Sequence, residues 1–91
     1  MRDTREWAFY MVRCSDGSLY CGIALDVEAR VKVHNAGQGA DYTARRRPVV
    51  LAHSEAFPSK SAARRREMQV KNWRAEKKEL LVHGFPSAGS G

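Results

Sequence analysis

The chain is poor in cysteine and without a long apolar run, and each scarcity removes a class of protein. Two cysteines, Cys14 and Cys21, in 91 residues are too few for a disulfide scaffold or a four-ligand zinc site. As free thiols they read as packing residues of a reducing compartment. No apolar stretch approaches the roughly 20 residues that span a bilayer. Arg2, Asp3, Arg5 and Glu6 break the apolar segment that a signal peptide needs. The expected address is the cytoplasm, away from membranes. Acidic residues are also scarce, ten against sixteen Lys and Arg for a net charge of +6. That excess favours a polyanionic partner, nucleic acid ahead of a membrane surface.

What is present patterns as one small domain over residues 1–84 with a flexible tail over 85–91. Residues 7–14, WAFYMVRC, are aromatic and β-branched enough for a strand, and 19–24, LYCGIA, for a second. Ser15-Asp16-Gly17 between them signals a turn. Asp26 can cap a helix from Val27 to about Ala36, ended by Gly37 and Gly39. Gln38 to Pro48 is polar and Arg-rich, and is expected to be a loop. Residues 49–57 suggest a third strand. Ser59 can cap a second helix through roughly Trp73, and 75–83 suggest a third. The sum is an α+β domain, a three-stranded antiparallel sheet flanked by two or three helices.

The turn decides whether two strand tyrosines can cooperate. A two-residue loop would send Tyr10 and Tyr20 to opposite faces, because side chains alternate along a strand. A three-residue loop with Gly17 in the left-handed conformation pairs Cys14 with Ser18. It sets Tyr10 opposite Gly22 and Tyr20 opposite Val12, with both phenols on one face. The other face then collects Phe9, Met11, Leu19, Cys21 and Ile23. The same register puts the two cysteines on opposite sides of the sheet, where they cannot form a disulfide. On the first helix, Arg30 and His34 at i and i+4 share one side. Glu67, on the second helix, falls at the border of the packed face.

Ala8-Phe9-Tyr10 followed by Tyr20-Cys21-Gly22 resembles the paired signature of the GIY-YIG nuclease superfamily. Arg30 and Glu67 stand where that family carries an arginine and a glutamate. The likeness runs from about Trp7 to Val82 and is nearest to the small stand-alone bacterial members. Their motifs are similar to His34-Asn35, Asp41-Tyr42-Thr43, Arg46-Arg47-Pro48 and Lys71-Asn72-Trp73. Ala8 replaces the usual first glycine and Cys21 the usual isoleucine, both small or apolar core-side changes. The family also carries a further asparagine after the glutamate, for which Asn72 is the candidate.

The resemblance implies an endonuclease that hydrolyses phosphodiester bonds in repair or recombination, with DNA ahead of RNA as substrate. It implies one divalent ion, Mg²⁺ or Mn²⁺, held by Glu67. Arg30 would bind the scissile phosphate with its planar fork, and His34 would shuttle protons. The general base is open among Tyr10, Tyr20 and His34, with Tyr10 favoured. Arg45, Arg46, Arg47 and Lys71 are candidate phosphate contacts, giving affinity that falls with salt. A lone domain has little apparatus for reading sequence, so nucleic-acid shape or a partner protein would supply specificity.

Each residue also has a plain structural reading. A strand tyrosine usually packs, a helix arginine or glutamate is usually solvated, and Glu67 can pair with Lys71 at i+4. His53 and His83 read as structural, and Trp7 and Trp73 as core. Arg64-Arg65-Arg66 cannot share one surface, since successive helical residues point about 100° apart. Two competing functions are a nucleic-acid-binding module with little catalysis and a basic protein-interaction domain.

Overall fold

A computed structural model describes residues 6–84; the tail expected over 85–91 lies outside them. Three strands and four helices follow one another: β1 (Trp7–Arg13), β2 (Leu19–Ala24), α1 (Val27–Asn35), α2 (Asp41–Ala44), β3 (Val50–Phe57), α3 (Lys60–Lys71) and α4 (Ala75–Val82). The sheet is antiparallel in the order β2-β1-β3. This is the expected α+β architecture.

The β1–β2 turn has three residues. Cys14 N–H donates to Ser18 C=O at 2.8 Å, and Gly17 sits at φ 89°, a conformation costly for any residue with a Cβ. Asp16 reinforces the turn by accepting from both the backbone and the hydroxyl of Ser18. Tyr10 therefore pairs with Gly22 and Val12 with Tyr20.

β1 is central, and its run Phe9-Tyr10-Met11-Val12 is buried on both sides. One face packs Tyr10, Val12, Cys14, Ala24 and Val49 against Val27 and Val31 of α1. The other packs Phe9, Met11 and Cys21 against Val70 of α3, joined by Trp73, Leu81 and Val82. Each fully buried side chain of this size contributes roughly 1.5–3 kcal/mol, so a thin double core holds the sheet. Cys14 and Cys21 are free and on opposite faces.

Both long helices start where their caps stand. Asp26 accepts from Ala29 N–H at 3.0 Å and Ser59 from Ala62 N–H at 3.1 Å. The segment 38–48, expected to be a loop throughout, contains the single turn α2. Its register on α1 is set by Asn35, whose side chain donates to Val49 C=O at 2.8 Å and accepts from Val49 N–H at 2.7 Å. Strand-like pairing through an amide side chain is not visible in residue periodicity.

Arg66, which the helical wheel places within an apolar arc, resolves the conflict with its long side chain. Its guanidinium binds Glu55 (3.0 and 3.2 Å) and lies over the Trp73 ring. Glu55 also binds His53 at 2.7 Å, so His53 has a structural partner on its own strand. Arg64 and Arg65 are exposed.

Candidate active site

Both phenols lie on the α1 face of the sheet, around His34. Tyr10 Oη is 2.8 Å from His34 Nε2, and the Tyr20 ring meets the imidazole edge-on at 5.4 Å. The Tyr10 ring can reach that position because its neighbour on β2 is Gly22. A Cβ there would stand 2.6 Å from Tyr10 Oη. Gly39 does the same for the imidazole, since a Cβ at that position would overlap His34 Nδ1.

On its far side His34 Nδ1 lies 2.7 Å from Thr43 Oγ1, and Thr43 Oγ1 donates to Ala40 C=O at 3.0 Å. Tyr10, His34 and Thr43 are all buried, at 2%, 2% and 0% exposure, so every polar atom in this row must find a partner inside the protein. Thr43 is not among the site residues that the sequence offers. Its only signal there is its place in Asp41-Tyr42-Thr43.

Charges reach the phenols from two helices on opposite faces. Arg30, exposed on α1, acts electrostatically on Tyr10, Tyr20 and His34. Glu67 acts on both phenols as well, although α3 packs the other face. β2 is an edge strand in contact with α3, and Tyr10 Oη lies over Gly22 of that strand.

Burial, reinforced by Tyr20 and Glu67 against the pull of Arg30, pushes the Tyr10 phenol up to about 12. Burial and Glu67 raise Tyr20 too. Burial, with Arg30 adding, lowers His34, so the imidazole is neutral near pH 7.

Glu67 is sheltered, with 14% of its side chain exposed, and among the described residues its ion-pair partner is Arg64 at 3.9 Å rather than Lys71. With Arg64, Met68, Lys71 and Asn72 it lines an open cleft of about 270 Å³. Asn72 donates to Met68 C=O at the end of α3, which brings it to the same cleft. Among the described residues no three His, Cys, Asp or Glu side chains converge to cage a metal. One carboxylate beside a solvent-filled cleft suits a hard cation that keeps water and substrate oxygens for its remaining ligands.

The loop arginines differ from one another. Arg46 binds Asp16 at 3.0 Å and Tyr42 C=O, and covers the Tyr42 ring at 3.8 Å. Tyr42 in turn stacks on Tyr20. Arg47 donates to Ala44 C=O and Asn35 C=O. Arg45 is exposed, and among the described residues its guanidinium has no protein hydrogen bond. Arg46 and Arg47 thus brace the site, while Arg45 and the exposed Lys71 present free charge. Arg45 and Arg47 flank an open hollow of about 420 Å³ with Asn35, Ala44 and Pro48.

Comparison with known proteins gives the same outline. Residues 6–79 match the GIY-YIG catalytic domain. The chain is 53% identical over 73 residues to a UPF0213 protein of Staphylococcus aureus strain Mu3, covering 80% of this chain and 89% of that one. Two solution NMR structures are similar. The UPF0213 protein BH0048 from Bacillus halodurans is 43% identical at TM-score 0.57, covering 90% of this chain and 87% of its own. The protein EF2693 from E. faecalis is 38% identical at TM-score 0.61, covering 93% and 91%.

Proposed function

The chain belongs to the GIY-YIG family, and on that premise we propose that it is a metal-dependent endonuclease hydrolysing phosphodiester bonds, with DNA ahead of RNA. The observation that carries the reading is geometric: Tyr10 and Tyr20 gather on one face of the sheet around the buried His34, with Tyr10 Oη 2.8 Å from His34 Nε2 and the Tyr20 ring edge-on to the imidazole. A guanidinium from α1 and a carboxylate from α3 both act on the same two phenols. A cation and a carboxylate flanking hydroxyls is the arrangement that in-line attack on a phosphodiester requires.

Arg30 binds two oxygens of the scissile phosphate and neutralises the charge that grows on them. Tyr10 takes a proton from the attacking water. A phenol held near 12 does not ionise by itself at neutral pH, so it acts as a base only while handing its own proton to His34. His34 is neutral and 2.8 Å away, the distance of a ready hydrogen bond. Tyr20 closes the site against His34 and Tyr42. Glu67 would hold a divalent ion, Mg²⁺ or Mn²⁺, in the cleft, where the ion supplies charge neutralisation at the phosphate. Arg45 and Lys71 add sequence-independent contacts to the backbone, and nucleic-acid shape or a partner protein sets specificity in repair or recombination. The net charge of +6 supports a nucleic-acid partner, met in the cytoplasm, and among the described residues no helix is long and apolar enough to cross a membrane.

The test is incubation of the purified chain with branched, duplex and single-stranded DNA and RNA in Mg²⁺ or Mn²⁺. Cleavage that disappears in Glu67→Ala and Arg30→Ala is the expected result. Binding without cleavage by the wild-type chain would replace the enzyme with a binding module, and no binding at low salt would favour a protein-interaction domain.

A further inference from the structure

The row of hydrogen bonds behind Tyr10 has a direction fixed at its far end. Ala40 C=O can only accept, and although it also receives Ala44 N–H, only with the Thr43 proton directed there does every proton of the buried row, that of Tyr10 included, find an acceptor. Toward His34, Thr43 Oγ1 can then only accept, and the proton of that 2.7 Å bond belongs to Nδ1. A neutral imidazole protonated on Nδ1 has its lone pair on Nε2, and Nε2 can only accept from Tyr10 Oη. The carbonyl of Ala40, the residue that caps the four-residue helix α2, thus favours, through Thr43, one direction for the phenol proton.

We infer that Thr43 is a positioning residue that locks His34 in the Nδ1–H tautomer so that Nε2 can take the proton of Tyr10, a role that rests on the endonuclease reading. In the hydrolytic step the water oxygen bonds to phosphorus as the bond to the leaving oxygen breaks; the leaving oxygen keeps the bonding pair and is protonated from solvent, to which His34 later returns its proton. The water proton passes to Tyr10 Oη, and the proton of Tyr10 passes to His34 Nε2. His34 becomes an imidazolium that keeps Nδ1–H on Thr43, and Thr43 never changes protonation. In the opposite tautomer Nε2 would carry a proton, Tyr10 would lose its acceptor and Nδ1 would face Thr43 without one to donate. A wrong tautomer held in otherwise correct geometry is costly in acid–base catalysis. Gly39 supports the lock from a second direction, since only a residue without a Cβ leaves Nδ1 its place.

The experiment combines ¹⁵N NMR of the imidazole with single-turnover cleavage, on the full chain and on Thr43→Val, Thr43→Ala and Thr43→Ser. Wild type and Thr43→Ser are expected to show Nδ1–H and matching kcat. Thr43→Val, of the same shape without the hydroxyl, is expected to lose the single tautomer and to lower kcat by about 10- to 100-fold at unchanged KM. Thr43→Ala gives the same reading if Thr43→Val fails to fold. An Nε2–H tautomer in the wild type overturns the lock without any variant. A variant that loses the tautomer at wild-type kcat, or loses kcat with the tautomer intact, overturns the coupling. A wild-type chain that cuts no nucleic acid defeats the endonuclease reading and the relay with it, while the NMR measurement still decides the lock separately.

Discussion

Tyr10 lays its phenol across Gly22 so closely that a Cβ on the glycine would stand 2.6 Å from Tyr10 Oη. Both residues are buried and directly paired between β1 and β2, so neither backbone can give way alone. Gly22→Ala is therefore expected to push the phenol off His34. Overpacking of this kind costs about 1–3 kcal/mol, and a displaced catalytic group about 10²-fold in kcat. Urea unfolding and single-turnover cleavage measure the two separately. Wild-type cleavage by a folded Gly22→Ala chain would remove Tyr10 from the chemistry.

Tyr10→Phe separates the oxygen from the ring. The aromatic body stays in the core beside Val12, Ala24 and Val49, but His34 Nε2 is left buried without its donor. Such an unsatisfied group costs about 1–3 kcal/mol, and loss of the proton acceptor for water about 10²- to 10⁴-fold in rate. Tyr20→Phe keeps its ring contacts with His34 and Tyr42 and is expected to change stability by less than about 0.5 kcal/mol. Equal destabilisation by the two would show that the Tyr10–His34 bond contributes nothing to folding.

The parts of this arrangement that could be read beforehand are those governed by chain parity and local caps. Gly17 set the hairpin loop, the loop set the register, and the register put both tyrosines on one face. Arg30 and His34 share a helix side for the same kind of reason. What stayed hidden depends on chain segments far apart in sequence. Thr43 meets His34 through an irregular segment whose four-residue helix has no repeat to betray it. Asn35 imitates a strand partner for Val49. Arg66 violates the apolar arc of α3 because Glu55 and His53 wait on a different strand. Glu67 lies on α3, which packs the face opposite the phenols, and the periodicity of one helix does not say which face of the sheet it will cover.

The acid side of the pH profile is expected to lie below the ordinary histidine range. His34 must be neutral to accept from Tyr10, and its folded pKa is lowered by burial and then by Arg30. Cleavage should therefore persist at about pH 6.5, where an unperturbed imidazole is half protonated. The same shift links to stability. The folded state disfavours the imidazolium, so the contribution is complete above the unfolded value of about 6.5. It is lost as pH falls through the folded value. Two carboxylates give way only in a lower window. Glu79 is held down by the hydrogen bond from Arg13, and at Glu55 hydrogen bonds from Arg66 and His53 together outweigh the opposing effect of burial. Their contributions are complete above about 4.3 and lost below it. Thermal unfolding from pH 8 down to pH 5 is expected to show a falling midpoint that His34→Gln flattens. An unchanged slope in that variant would contradict a neutral, buried His34.

Arg30 and Arg66 give the sharpest contrast, since both are helix arginines and only Arg30 is proposed to meet the phosphate. Arg66 is three-quarters buried, bound to Glu55 through two nitrogens and to Gln69 at 2.7 Å. Removing it strands the Glu55 carboxylate. Partial exposure softens the penalty through solvent screening, leaving about 1–3 kcal/mol for Arg66→Ala with kcat unchanged once the protein is folded. Arg30 is exposed, so Arg30→Ala is expected to hold stability within about 0.5 kcal/mol and to lose about 10²- to 10³-fold in kcat, as removal of one charge-stabilising donor does. Urea unfolding and single-turnover cleavage, run on both variants, decide the matter. The opposite pattern, with Arg66→Ala stable and inactive and Arg30→Ala active, would move the scissile phosphate to the β3–α3 side of the sheet and empty the tyrosine face of its role.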